Sequence, residues 1–140
     1  MTGSHSFPKL NHVAIATHEP AKLRKVFELI GLKYSGEEDV PSQGVKTHFL
    51  KAESYESAME LLEPINPEGV IAKFIAKKGP GIHHISFEVD DIVALSRTLT
   101  DNQIKLIYKE PQPGAHHMLV NFIHPESTGG VLIEISEKKI

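Results

Sequence analysis

GIHHISFEVDDI, residues 81–92, reads as a strand that turns into a helix. Successive side chains of a strand point to opposite faces. His83, Ile85, Phe87 and Val89 therefore share one face, and His84, Ser86 and Glu88 share the other. The first face suits packing against helices. The second sets an imidazole, a hydroxyl and a carboxylate side by side, which points into a cavity. Asp90 or Asp91 is placed to cap the helix that follows. In DIVALSRTLTDN, Ile92, Leu95 and Leu99 form its apolar stripe.

An earlier stretch has the same plan. LNHVAIATHEPAKLRKVFELIGLKY, residues 10–34, opens on a short alternating strand. Pro20 suits a first helical turn, and Leu23, Val26, Phe27 and Ile30 follow helical spacing until Gly31. LKYSGEE (32–38), VKTHFLKA (45–52) and SAMELLEP (57–64) are strand candidates. After the second helix come IKLIY (104–108), MLVNFIH (118–124) and VLIEISE (131–137). Each half reads β-α-β-β-β, with a first module over 9–64 and a second over 82–137. PEGVIAKFIAKKGPG, within 65–81, predicts a linking helix with Val70, Ile71, Phe74 and Ile75 on one side and glycines as its stop. Two units of about sixty residues are too few for a solenoid, so a single α+β domain over 1–140 with pseudo-twofold pairing is expected.

Overlaying the halves aligns four polar residues. His12 opens the first strand of one and His84 that of the other; Glu60 and Glu134 interrupt the last strands between apolar neighbours. The His-to-Glu intervals are 48 and 50 residues. Taken singly, each reads as a structural histidine or a solvated carboxylate. A fourfold match across the repeat favours a site, because an isolated carboxylate costs several kcal/mol to bury. Two imidazoles and two carboxylates suit a divalent ion of intermediate hardness: Co, Mn, Ni, Fe or Zn. Four protein ligands in an octahedral shell leave two positions open. His5, His18, His48 and His124 have no counterpart and read as surface or loop residues, and His83 as packing.

Composition narrows the classes. The chain has 140 residues, 40% apolar and 24% charged, enough for one core. A net charge of −3 gives no case for nucleic acid or an anionic membrane as partner. Without cysteine there is neither a disulfide framework nor a thiolate metal site. No apolar run approaches a membrane span, and MTGSHSFPKL lacks the regions of a signal peptide, so a cytoplasmic protein is expected.

Several stretches closely resemble a known family: LNHVAIAT, VPSQGVKTHFL, MELLEPINPEGVIAKFIAKKGPGIHHISFEVDDI, IYKEPQPGAHH and FIHPESTGGVLIEI. Together they span almost all of residues 10–137. The chain resembles the vicinal oxygen chelate superfamily and, within it, the methylmalonyl-CoA epimerases. The resemblance implies a sheet cupped around a metal held by His12, Glu60, His84 and Glu134, with Glu134 also the acid/base. It further implies an acyl-CoA substrate, a homodimer, and His116 of the PGAHH loop near the substrate. Ser86 and Thr47 are further candidates to line the cavity. Two positions depart from the family's pattern. Thr47 stands where some members have a second catalytic Glu, and threonine cannot take up a proton as a carboxylate does. Glu126 stands where many have Lys. The second proton is left to Thr47 through a water, to a metal-bound water, or to His116 or His117. A glyoxalase I-like lyase acting on a glutathione thiohemiacetal, and a non-catalytic binding protein, are the rival functions on this scaffold.

Overall fold

The computed structural model describes residues 7–53 and 56–139. Its elements are β1 (Lys9–Ala16), α1 (Pro20–Ile30), β2 (Lys33–Val40), β3 (Val45–Lys51), β4 (Ala58–Pro64), α2 (Val70–Lys78) and β5 (Gly81–Glu88). They continue with α3 (Ile92–Asp101), β6 (Gln112–Pro113), β7 (Met118–Ile123) and β8 (Ile133–Lys138). The expected α+β pattern, β-α-β-β-β twice over, is present. The chain divides into two compact units: His12–His83, and the residues up to Asn11 together with those from His84 onward. Among the described residues no helix is long and apolar enough to cross a membrane.

In the His12–His83 unit, β2, β3 and β4 are antiparallel neighbours and β1 runs parallel beside β4. One face of this sheet carries Leu50 and Leu61, which pack with Leu32 and with Leu23 and Phe27 of α1. The apolar stripe expected on α1 is displaced. Val26 and Ile30 are exposed at 51% and 67%, while Pro20, Leu23, Arg24 and Phe27 face inward. Arg24 accounts for the rotation: its guanidinium stacks 3.5 Å from the centroid of the Tyr34 ring, a cation–π contact that draws this helix face onto β2. Leu61→Ala is therefore expected to cost about 2–5 kcal/mol, whereas Val26→Ala stays within about 0.5 kcal/mol. Urea unfolding checks both, and equal losses would contradict this helix orientation. On α2, Ile71 and Ile75 are buried but Val70 is exposed, contrary to its expected place on the inner side. His83 does pack, meeting Phe74 edge-on at 4.8 Å.

The second unit repeats the order: β5 is parallel to β8, and β8, β7 and β6 follow antiparallel. Asp91 caps α3 by accepting from the Ala94 N–H at 3.0 Å. The strand expected over 104–108 is not formed. Leu106 makes one bridge to Ile123, and Asn121 uses its side-chain amide on both the N–H and the C=O of Tyr108. That amide stands where a ladder partner would, so the segment is held without becoming a strand. The second strand of the module in chain order is instead the two-residue β6. On β5, the polar face is the more buried one. His84, Ser86 and Glu88 are buried, while Phe87 is 38% exposed. Phe87 lies open because Leu95 and Leu99 of α3 stand off the sheet across an apolar groove of about 490 Å³, also lined by Ile133, Ile135 and Phe7.

Candidate metal centre

Strand alternation places the polar residues. On β1, His12, Ala14 and Ala16 are the buried positions. Parallel pairing sets Ala14 beside Glu60 of β4, so a methyl group is the carboxylate's neighbour and leaves it space. His12 Nδ1 lies 3.1 Å from Glu60 Oε2, with both side chains buried. Thr47, 2% exposed, belongs to the same face, because Thr47 pairs with Leu62 and Phe49 with Glu60.

The second unit builds a matching pair. Ser86 of β5 is in register with Glu134 of β8. His84 Nε2 lies 3.6 Å from Glu134 Oε1, and again both side chains are buried. Phe122 of β7, opposite Glu134, meets the His84 ring edge-on at 5.4 Å. Tyr108 stands against Phe122. Burial, and then the charge of Glu134, push the Tyr108 phenol above its ordinary value, so it keeps its proton. The Ser86 hydroxyl is fully buried and has no hydrogen-bond partner among the described residues.

Two residues near this chemistry carry no role in the sequence reading. Glu88 is buried and accepts from Asn11 Nδ2 at 3.1 Å. Its place on the His84 face of GIHHISFEVDDI was the available signal. Tyr108 had none, since its segment reads as a strand. His48 corrects the expectation of a surface residue. It is half-buried on β3 between Glu63 (Nε2 to Oε1, 2.9 Å) and the Tyr34 hydroxyl (3.1 Å from Nδ1). The same sheet face holds Lys46 between Glu37 and Asp39, and the Lys46 ammonium keeps the Glu37 carboxyl below the usual range. His124 is half-buried and caps the turn Pro125–Ser127, its Nδ1 accepting from the Glu126 N–H at 3.0 Å. His116 and His117 are exposed, and both have left-handed backbone, φ 56° and 57°, a conformation costing about 1–2 kcal/mol per residue outside glycine. His18 is exposed as expected; His5 lies outside the described residues.

Each unit thus buries one imidazole against one carboxylate on a sheet face. The sequence profile of the Glyoxalase/Bleomycin resistance protein/Dioxygenase superfamily matches residues 11–122, and the chain belongs to that superfamily. Within it, the chain is 39% identical to the mitochondrial methylmalonyl-CoA epimerase of Dictyostelium discoideum over 139 residues, 97% of this chain and 82% of that protein. Its fold is similar to a hypothetical protein from Bacillus halodurans C-125, with TM-score 0.90 and 44% identity over 96% of each chain. It is also similar to a variant of the Streptomyces coelicolor methylmalonyl-CoA epimerase in complex with 2-nitronate-propionyl-CoA. There the TM-score is 0.86 and the identity 28%, over 95% of this chain and 99% of that one.

Epimerases of this superfamily use a divalent metal, and the donors here fit one. Imidazole nitrogen and carboxylate oxygen are ligands for ions of intermediate hardness. A carboxylate beside each imidazole would offset part of a cation's charge, and burial of each imidazole–carboxylate pair keeps bulk water from competing for it.

Proposed function

We propose that the chain is a methylmalonyl-CoA epimerase in which His12, Glu60, His84 and Glu134 together hold one divalent ion, Co, Mn, Ni, Zn or Fe. The observation that carries the reading is the buried His84–Glu134 pair on β5 and β8, with its counterpart His12–Glu60 in the other unit. The substrate's C2 hydrogen lies between a thioester and a carboxylate, and its removal leaves negative charge on the thioester oxygen. A bound divalent ion supplies Lewis-acid stabilisation of that charge. Glu134 takes the C2 proton on a carboxylate oxygen. Phe122 and Tyr108 wall this carboxylate from water, and Tyr108, remaining neutral, adds no competing charge. The Ser86 hydroxyl, in register with Glu134, donates to a substrate oxygen. Thr47 lines the cavity, and His116 contacts the acyl-CoA. The assembly is a cytoplasmic homodimer, for which Val26, Leu29 and Ile30 of α1 offer exposed apolar surface.

One experiment tests the reading. The protein is incubated with a single epimer of methylmalonyl-CoA in deuterated water, and C2 label and inversion are followed together. Both are expected, and both fall at least about 100-fold after chelation and return with added Co²⁺, since Lewis-acid stabilisation is worth several kcal/mol. Turnover of a glutathione thiohemiacetal without C2 exchange would replace the epimerase with a lyase. Exchange that survives chelation would remove the metal.

A further inference from the structure

Inversion requires that the proton return to the side of C2 opposite the one it left. A single carboxylate serves one side, so the chain needs a second proton carrier. Thr47, at the position where a second acid is expected, holds no ionisable proton in the physiological range. The pairing of β2 with β3 supplies another candidate. Tyr34 pairs with Leu50, on the face packed against α1; the register then shifts by one between Tyr34 and Gly36. A one-residue slip moves every later side chain to the other face. Gly36, at φ 126°, is the residue that permits the irregularity. Beyond it Glu38 pairs directly with Thr47, and Val40 with Val45.

Glu38 therefore joins the face of Thr47, Phe49 and Glu60, whereas its neighbours Glu37 and Asp39 stay on the other face with Lys46. It is half-buried while those two are exposed. Directly opposed residues of antiparallel strands have Cβ atoms about 4.5–5.5 Å apart, which sets the base of the Glu38 side chain beside that of Thr47. β2 lies two strands, about 10 Å, from the Glu60 strand, a span that accommodates a small acyl group. We propose that Glu38 is the second proton carrier of the epimerisation, an inference that rests on the epimerase reading. In the forward step the C2–H electron pair becomes the enolate as Glu134 gains the proton. The Glu38 carboxylic acid then gives its O–H proton to C2 and is left as carboxylate. The two glutamates end with exchanged protonation, which solvent resets.

The test is the ratio of exchange to inversion in deuterated water. In Glu38→Gln, C2 exchange through Glu134 persists within about threefold, while inversion falls about 100-fold or more, the range of a lost general acid. Adding Thr47→Glu to this variant restores inversion at least tenfold by returning a carboxyl to the neighbouring strand. Exchange and inversion falling in proportion would mark Glu38 as merely structural and overturn the proposal, as would unchanged inversion or a folded double variant with no recovery. Wild-type protein that neither exchanges nor inverts overturns the epimerase reading itself, a distinct result that takes this proposal with it.

Discussion

Glu134→Gln is expected to lower C2 exchange and inversion together, by about 10²–10⁴-fold. The amide keeps the shape of the carboxylate and an oxygen for a ligand, but it cannot take up a proton. Losing both processes together separates Glu134 from Glu38, whose loss splits them. The variant is assayed at saturating Co²⁺, so that a weaker ion site does not pass for a weaker base, and its melting temperature is compared with wild type. Exchange within tenfold of wild type would remove Glu134 from the proton path.

The second large effect concerns the histidines. His12→Ala and His84→Ala are each expected to weaken Co²⁺ binding by 100-fold or more, measured by calorimetry. Each imidazole sits against a buried carboxylate, so its truncation removes both a donor and the group that orients Glu60 or Glu134. Outer partners of metal ligands alone are worth about 10–100-fold in affinity, and a direct ligand has to exceed that. His48 is the control. It is also a half-buried histidine with a carboxylate neighbour, but it lies on the opposite face of its strand from Thr47 and Phe49, so His48→Ala leaves Co²⁺ affinity within about threefold.

How far the sequence carried depends on what each signal encodes. Alternation located His12, His84, Glu60 and Glu134 on buried faces, because strand period leaves no choice of side once the register holds. Both helices of the repeat were legible from spacing and caps. Helix rotation was not. Apolar spacing on α1 selects Val26 and Ile30 over Arg24, whereas the stacking of Arg24 on Tyr34 turns the helix the other way. The segment 104–108 has strand composition, but a side-chain amide from Asn121 takes the backbone N–H and C=O of Tyr108, a contact without a sequence period. Glu38 was hidden for a related reason. Counting by twos from Tyr34 puts it on the helix-facing side, and only the irregularity before Gly36 moves it across. The exposure of Phe87 was not legible either, because alternation gives its face but not the open groove that this face borders.

The most direct measurement of the central claim is the stoichiometry of Co²⁺ binding to the stripped protein, with the visible spectrum of the bound ion recorded. If both imidazole–carboxylate pairs serve a single ion, the titration ends at one Co²⁺ per chain, and His12→Ala and His84→Ala each abolish the same spectral band. Two ions per chain, or a band that survives either substitution, would mean that the pairs act separately and that the four residues do not form one centre.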